Sequence, residues 1–293
     1  MQGTVDGFSY GVVTPLVAYL MACLGGALGL RCTTRSLLVT HSRRPAWLAL
    51  GSAAIGSGIW TMHFVAMMGF TIKDTPIHYD KPLTYASLGL AIVMVGIGIF
   101  IVGYRGATGA PLFTGGTITG LGVASMHYLG MAGVRFHGQF TYNTFTVAAS
   151  VVIAVVAATA ALWAAGQVRG FAWSVGASLV MGLAVSGMHY TGMAALGVHL
   201  DSAPHPAEAG SAATSSLAPM LIGPLAFLLI AGVVVVFDPL MVMGGPDWTP
   251  VEHKPGVPAA AVASQAVHGP AVHHGPRPLR RAGHHRPRTP QNR

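Results

Sequence analysis

Seven continuous apolar stretches constrain the fold of this 293-residue chain more than any other feature of its sequence. Each is about 17–26 residues long, the length that an α-helix needs to cross roughly 30 Å of hydrocarbon. The stretches lack the alternation of apolar and polar residues that membrane strands show. Only 8% of the residues are charged, against about 25% in a soluble domain, so the sequence predicts an all-α membrane protein embedded in a lipid bilayer. The predicted spans are residues 14–30, 47–68, 82–102, 112–134, 145–165, 171–196 and 220–237.

The Lys and Arg residues are divided unevenly between the two ends of these helices. Thirteen of the sixteen lie after spans one, three, five and seven, and only Lys73, Lys81 and Arg135 lie at the other end. The positive-inside rule therefore predicts an N-terminus outside and a C-terminus in the cytoplasm. No Lys or Arg precedes span one, so we expect it to remain a transmembrane helix and not a cleaved signal peptide. The net charge of +8 reflects this topology and the C-terminal tail, and no nucleic-acid partner is expected.

A short motif of Met, His and an aromatic residue occurs three times, near the end of each even-numbered span. It reads MHFVAM from Met62, MHYLGM from Met126 and MHYTGM from Met188. An ionisable residue inside a membrane span is costly and usually functional. The three histidines, His63, His127 and His189, are therefore the first candidates for a functional site.

The spacing of the motifs indicates an internal repeat of two helices. The histidines are separated by 64 and 62 residues, and Tyr79 and Ser87 recur in step as Tyr142 and Ser150. Two spans per repeat preserve orientation, so the repeats are parallel. The predicted fold is three parallel two-helix repeats plus one helix, with all three motifs at one depth in the outer leaflet.

Each motif places an imidazole and a thioether on one helix face. The second methionine, at Met67, Met131 or Met193, follows its histidine by four residues, which is about one helical turn. The first methionine, at Met62, Met126 or Met188, is rotated by about 100° from its histidine and would join a site from a different face.

This ligand set favours copper. Thioether ligands select Cu(I) among the common biological metals, whereas zinc gains little from methionine. Uncharged ligands also hold a monovalent cation without adding charge in hydrocarbon. Haem is the alternative cofactor, because His/Met pairs serve as its axial ligands.

The aromatic residue of the motif differs between copies. Tyr128 and Tyr190 are expected in a second layer around the metal, where a hydroxyl can orient a histidine ring. Phe64 cannot do this, so the first copy is expected to differ.

A packing interpretation is the alternative to metal binding. It makes each histidine a hydrogen-bonded core residue beside a gap-filling methionine. Packing alone would accept Leu at these positions, and three copies at one depth favour ligation. Whether the motifs form one site or several stays open at this point, and ring separations of about 4–6 Å would allow one metal to join the repeats.

The repeated motif resembles that of the MHYT domain family, bacterial integral membrane proteins named for these residues. The resemblance covers about residues 8–240 and includes MHYLGM and MHYTGM, whereas MHFVAM departs at Phe64 and Ala66. It implies a sensor of O2, CO or NO that binds copper through the Met and His of each motif, in the plasma membrane of a bacterium. Family members are often fused to cytoplasmic cyclic-di-GMP synthase or phosphodiesterase domains. No such domain is recognised in this sequence, so we expect signalling through a separate cytoplasmic protein or through the helices of the chain itself.

Three functions remain open from the sequence. The first is a copper-dependent gas or redox sensor, the second a copper transport or storage protein, and the third a haem protein. No GxxxxGK[ST] loop and no Ser-His-acid set is present, so an enzyme is not expected. The absence of acidic residues from the spans argues against a proton-coupled transporter.

The last part of the chain, residues 241–293, has a different composition. It holds nine Pro, six His and seven Lys or Arg, with few large apolar residues. Such a segment cannot form a core, and we expect a disordered cytoplasmic tail after a membrane domain at 8–240.

Overall fold

The computed structural model describes residues 5–6, 10–72, 75–167, 171–200 and 212–237. The predicted tail at 241–293 lies outside these residues. The described chain contains seven long helices: α1 (Val13–Leu38), α2 (Arg44–Met68), α3 (Lys81–Arg105), α4 (Gly109–Ala132), α5 (Thr144–Ala165), α6 (Phe171–Ala194) and α7 (Ala212–Val236). Six short strands accompany them: β1 (Val5–Asp6), β2 (Thr71–Ile72), β3 (His78–Tyr79), β4 (Val134–Arg135), β5 (Gly138–Tyr142) and β6 (Leu196–Leu200).

The seven helices confirm the predicted fold class of an all-α, multi-pass membrane protein. All except α4 are long and apolar enough to cross a membrane by length and composition. Helix α4 has a similar length, but its six glycines and three threonines lower its apolarity. It packs between α3 and α5, so it occupies the same layer as its neighbours.

Helix α1 is longer than its predicted span, which ended at residue 30. It continues to Leu38, so Arg31 and Arg35 belong to the last turns of the helix and not to the following loop as predicted. The extension is possible because Arg35 lies over the Trp47 ring, 5.6 Å from its centroid. A long arginine side chain can extend along apolar surface while its charged end reaches the interface.

Each repeat is a strand, two helices and a strand. The two strands of a repeat pair with each other in antiparallel fashion, giving the sheets β1–β2, β3–β4 and β5–β6. The paired strands bring the outer ends of the two helices together. We call this the strand end of the bundle, and the opposite end, which carries Arg43, Arg44 and Arg105, the basic end.

Helices α1 to α6 form a closed ring, in which α6 packs against α1. Closure brings together residues that are distant in the chain, and the Tyr19 hydroxyl donates to the Leu179 carbonyl at 3.2 Å. Helix α7 lies outside the ring against α2 and α1. There Leu228 and Ala231 pack with Leu28 and Ala54 in a separate apolar cluster.

Glycines at one repeated position set the distance between neighbouring helices. Gly56, Gly120 and Gly182 each stand seven residues before a motif histidine. A Cβ atom would lie 2.9 Å from the Cα of Ile92 at Gly56, 2.4 Å from the Cα of Val155 at Gly120, and 2.5 Å from Cys23 Sγ at Gly182. Each even-numbered helix therefore approaches the next odd-numbered helix in the same way, and α1 takes that place for α6. Small residues permit this close approach in membrane helices.

Candidate metal centre

The three motif histidines are placed by equivalent helices. Each stands five residues before the last residue of its helix, which is Met68 for α2, Ala132 for α4 and Ala194 for α6. Because all three helices run in the same direction, the histidines form one layer near the strand end of the bundle.

The Nδ1 atoms of the three rings converge on one point. The distances are 3.0 Å between His63 and His189, 3.2 Å between His127 and His63, and 3.3 Å between His189 and His127. The ring centroids are 4.9–5.1 Å apart, and each side chain is no more than 2% exposed. The structure therefore brings the three repeats to a single shared cluster.

The size of the Nδ1 triangle fits one metal ion. Its centre lies about 1.8 Å from each nitrogen, which is within 0.2 Å of the metal–imidazole bond of about 2.0 Å. Three imidazole nitrogens at this spacing cannot satisfy one another, because a proton on one Nδ1 can be donated to only one neighbour. A cation accepts all three lone pairs at once, so these residues fit a bound metal.

The opposite ring nitrogens point towards the next repeat. A Cβ atom at Gly130 would lie 2.7 Å from His63 Nε2, and one at Gly192 would lie 2.5 Å from His127 Nε2. Both Nε2 atoms are buried without a hydrogen-bond partner. The glycine of one motif thus provides the space that turns the preceding histidine inward. The corresponding residue in the first motif is Ala66, which has a Cβ atom.

The six motif methionines surround this layer within the main core. Met193 is half-buried and the other five are no more than 1% exposed. The close geometry of the cluster is defined by the histidines, and the methionines belong to the packed apolar layer around them. The structure brings the three histidines to a common point, and a ligand role for the methionines stays a prediction.

The aromatic residue of each motif contacts its own histidine. The ring centroids are 4.6 Å apart for Phe64 and His63, 4.8 Å for Tyr128 and His127, and 5.0 Å for Tyr190 and His189, in edge-to-face geometry. Phenylalanine and tyrosine make this contact equally well, so the first copy does not differ in its ring packing.

The motif predicts that the Tyr128 hydroxyl orients a histidine ring, but the structure places this hydroxyl elsewhere. It hydrogen-bonds the Ser150 hydroxyl on α5 at 2.7 Å, which directs it away from the cluster. Its function is therefore to connect α4 to α5.

Trp60 makes the corresponding connection in the first repeat. Its Nε1 atom donates to the Thr84 carbonyl at 3.1 Å and to the Ser87 hydroxyl at 3.0 Å. Its ring packs against Phe64, with the centroids 4.6 Å apart. Ser87 and Ser150 are equivalent in the two repeats, so the indole replaces the hydroxyl that Phe64 lacks. This contact of Trp60 was not predicted from the sequence, although the recurrence of Ser87 as Ser150 indicated that the serine has a partner.

Tyr79 covers the first motif from the strand end. Its ring lies 6.0 Å from that of Phe64, and it is 6% exposed. Burial raises the pKa of the Tyr79 phenol. Tyr79 is therefore part of the packed layer that covers Phe64 at the strand end.

The comparison with known proteins identifies the repeat. A family model described as a bacterial signalling protein N-terminal repeat, MHYT, matches residues 56–115 and 120–178. The two matches begin at the equivalent glycines Gly56 and Gly120, in agreement with the structural repeat.

Several bacterial signalling proteins are similar to this chain. The bifunctional diguanylate cyclase/cyclic di-GMP phosphodiesterase MucR of Pseudomonas aeruginosa is 37% identical over 192 residues, 64% of this chain and 28% of the relative. The cyclic di-GMP phosphodiesterase NbdA of the same species is 34% identical over 207 residues, 67% of this chain and 26% of the relative. The signaling protein YkoW of Bacillus subtilis is 30% identical over 203 residues, 67% of this chain and 25% of the relative. The chain thus matches about a quarter of the length of these relatives, and no solved structure matches it.

Proposed function

Because this chain belongs to the MHYT domain family of membrane signalling proteins, we propose that it is a sensor that binds one copper ion at His63, His127 and His189. The observation that carries the proposal is the convergence of three buried Nδ1 atoms within 3.0–3.3 Å of one another. The signal would be a diatomic gas (O2, CO or NO) or a change of redox state.

The environment of the cluster favours Cu(I). Three neutral imidazoles hold a monovalent cation with a net charge of only +1, which limits the cost of placing charge in an apolar layer. Imidazole is a good copper ligand, and the surrounding thioethers of Met62, Met67, Met126, Met131 and Met188 are compatible with the same soft ion. Zinc would add a second positive charge, and among the described residues no carboxylate belongs to the cluster to balance it.

Three ligands on three helices provide a means of signalling. His63, His127 and His189 would hold the copper ion, which would supply affinity for a diatomic gas and sensitivity to redox state. The imidazoles are held by α2, α4 and α6, so a change in their positions shifts these helices relative to one another. The basic end of the bundle, predicted to face the cytoplasm of a bacterium, would transmit the shift to a cytoplasmic signalling protein.

The names of the relatives support the kind of output. MucR and NbdA are named for cyclic di-GMP synthesis or hydrolysis, and the match covers a part of each that corresponds to this membrane domain. We therefore propose that the partner of this chain belongs to cyclic-di-GMP signalling and that the membrane domain is not itself an enzyme.

The alternatives are less compatible with the geometry. A haem group must fit between its two axial ligands, and rings with nitrogens 3.0–3.3 Å apart leave no space for a porphyrin. A copper transporter needs ligands along a path, and the interior of the ring on the basic side of the cluster is lined mainly by Val, Ile, Leu and Ala. A copper storage protein shares the cluster and differs from a sensor in its response to gas.

Metal analysis of the purified full chain tests the proposal. Loading with Cu(I), followed by removal of free metal, should leave about one copper per chain, with X-ray absorption showing imidazole ligands at about 2.0 Å. His199→Gln, at an exposed position on β6, is the control that should bind as much copper as the wild type. Absence of copper after loading would overturn the proposal, and a Soret band in the purified protein would favour haem.

A further inference from the structure

The ring of helices encloses an internal cavity of about 40 Å³. All six ring helices contribute to its wall, and it extends along the middle of the bundle on the basic side of the histidine layer. The metal centre does not account for this space.

The cavity begins one helical turn below the three histidines. Its wall includes Ile59, Val123 and Val185, and each of these stands four residues before a motif histidine, a rise of about 6 Å along a helix. Met188, which directly precedes His189, also lines it. The space therefore lies next to the histidine layer on the side away from the strands.

The wall contains one hydroxyl without a hydrogen-bond partner, that of Thr119, which is fewer than a buried water needs. Thr33 and Thr119 are the polar residues of the lining. The Thr33 hydroxyl donates to the Gly29 carbonyl within its own helix at 2.9 Å. The Thr119 hydroxyl makes no hydrogen bond and lies next to Gly98 on α3, where an added Cβ atom would be 2.0 Å from it. A buried water needs two to four polar partners, and apolar cavities without them stay dry and take up apolar ligands such as xenon.

The volume is sufficient for a small ligand. A cavity needs roughly 10–15 Å³ to hold one water, so about 40 Å³ has room for a diatomic molecule. Apolar diatomic gases also concentrate in hydrocarbon, which surrounds this part of the bundle.

Small residues on α5 create the space. Ala158 lines the cavity and is equivalent to Val95 on α3, 63 residues earlier, which also lines it. Ala154, Ala157, Ala161, Leu162 and Ala165 complete the wall on the same helix. The lining of α5 is thus mainly alanine, whereas α3 carries Val95 and Ile99.

We propose that this cavity is a binding site for an apolar diatomic gas, which it holds directly beneath the histidine cluster. The proposal rests on the proposed gas-sensing function and adds to it a second site, separate from the metal, through which the gas reaches the histidine cluster.

Xenon is the probe for the cavity, because it is apolar and needs no metal. Xenon-129 NMR of the metal-free full chain in nanodiscs should show a saturable bound population. Ala158→Leu fills the cavity and should abolish that population, whereas Ala160→Leu, at a lipid-facing position two residues later, should preserve it. Val95→Ala enlarges the cavity and should increase xenon uptake, which keeps the test decisive if Ala158→Leu does not fold.

The absence of saturable xenon binding in the wild type would overturn the inference, as would equal binding in Ala158→Leu and Ala160→Leu.

Copper-loaded protein provides the second measurement, the rate constant for CO binding to Cu(I). Ala158→Leu should lower this rate constant relative to Ala160→Leu, and equal values would overturn the role in delivery. Because the xenon measurement uses metal-free protein, failure there leaves the copper proposal intact, whereas xenon binding without copper binding overturns the proposed function alone.

Discussion

His63 and His189 are 126 residues apart in the chain, yet their Nδ1 atoms lie 3.0 Å from each other. The contact exists because α6 packs against α1 and closes the ring of helices. A cluster made from three repeats therefore depends on the closure, and whatever acts on the cluster acts on the whole bundle.

Copper should stabilise the wild-type protein by joining three helices through one ion. A ligand that binds only the folded state at about 100 times its Kd adds about 2.7 kcal/mol, which should appear as a copper-dependent rise in Tm in detergent. His127→Gln removes one of the three Nδ1 ligands and should abolish most of this rise. An equal rise in the wild type and in His127→Gln would show that copper stabilises the protein at another place.

The glycines next to His63 and His127 should be necessary for the orientation of these two rings. In Gly130→Ala the new Cβ atom would lie 2.7 Å from His63 Nε2, so the ring must move out of the cluster. Loss of such supporting geometry typically lowers metal affinity by about 10–100-fold, measurable by competition with a Cu(I) chelator. Gly187→Ala is the matched control, because a Cβ atom there meets nothing within 4 Å, and its affinity should equal that of the wild type. Unchanged affinity in Gly130→Ala would contradict the role of this glycine.

The arrangement of the cluster follows only in part from the sequence. Separations of 64 and 62 residues placed the three histidines on parallel helices at one depth, which the structure confirms. The convergence of the rings could not be predicted, because it depends on the contact of Gly182 with Cys23 across the closure. Gly182 and Cys23 are far apart in the chain, and a local sequence pattern does not predict a contact between such residues.

The contact of Trp60 with Ser87 could not be predicted from the sequence either. Its indole compensates for Phe64 by bonding Ser87, and this follows from the orientation of α2 against α3. The sequence displays the missing hydroxyl and the repeated serine, but not the side chain that joins them. The extension of α1 to Leu38 was missed for a related reason, because Arg35 rests on an aromatic ring of the next helix.

Tyr128→Phe should leave copper binding intact. The variant reproduces the first motif, in which Phe64 packs on His63, and it loses only the hydrogen bond to Ser150. A typical hydrogen bond contributes about 1 kcal/mol, so Tm should fall slightly while the copper stoichiometry is unchanged. Tyr128→Ala also removes the ring that contacts His127 and should weaken copper binding. Loss of copper in Tyr128→Phe would show that the hydroxyl acts on the metal site after all.

The outer end of α3 should make the stability of the protein sensitive to acid. The Asp80 carboxylate accepts a hydrogen bond from the Leu83 N–H at 3.0 Å and pairs with Arg135 on β4 at 3.2 Å. The Leu83 bond, followed by the Arg135 contact, lowers the pKa of Asp80 below its ordinary value. A carboxylate with a lowered pKa in the folded state stabilises the protein above the unfolded pKa of about 3.9 and loses this contribution as the pH falls through the folded value.

Asparagine separates the two contributions of Asp80, because Asn143 caps α5 at the equivalent position by accepting from the Thr146 N–H at 3.1 Å. Asp80→Asn should keep the cap and lose only the charge, so its Tm at pH 7 should fall less than that of Asp80→Ala. The difference in Tm between the wild type and Asp80→Asn should shrink as the pH falls below the unfolded pKa of about 3.9 and should disappear once the carboxyl group is protonated in both the folded and the unfolded states. A difference that persists at low pH would mean that Asp80 stabilises the protein through its shape and not through its charge.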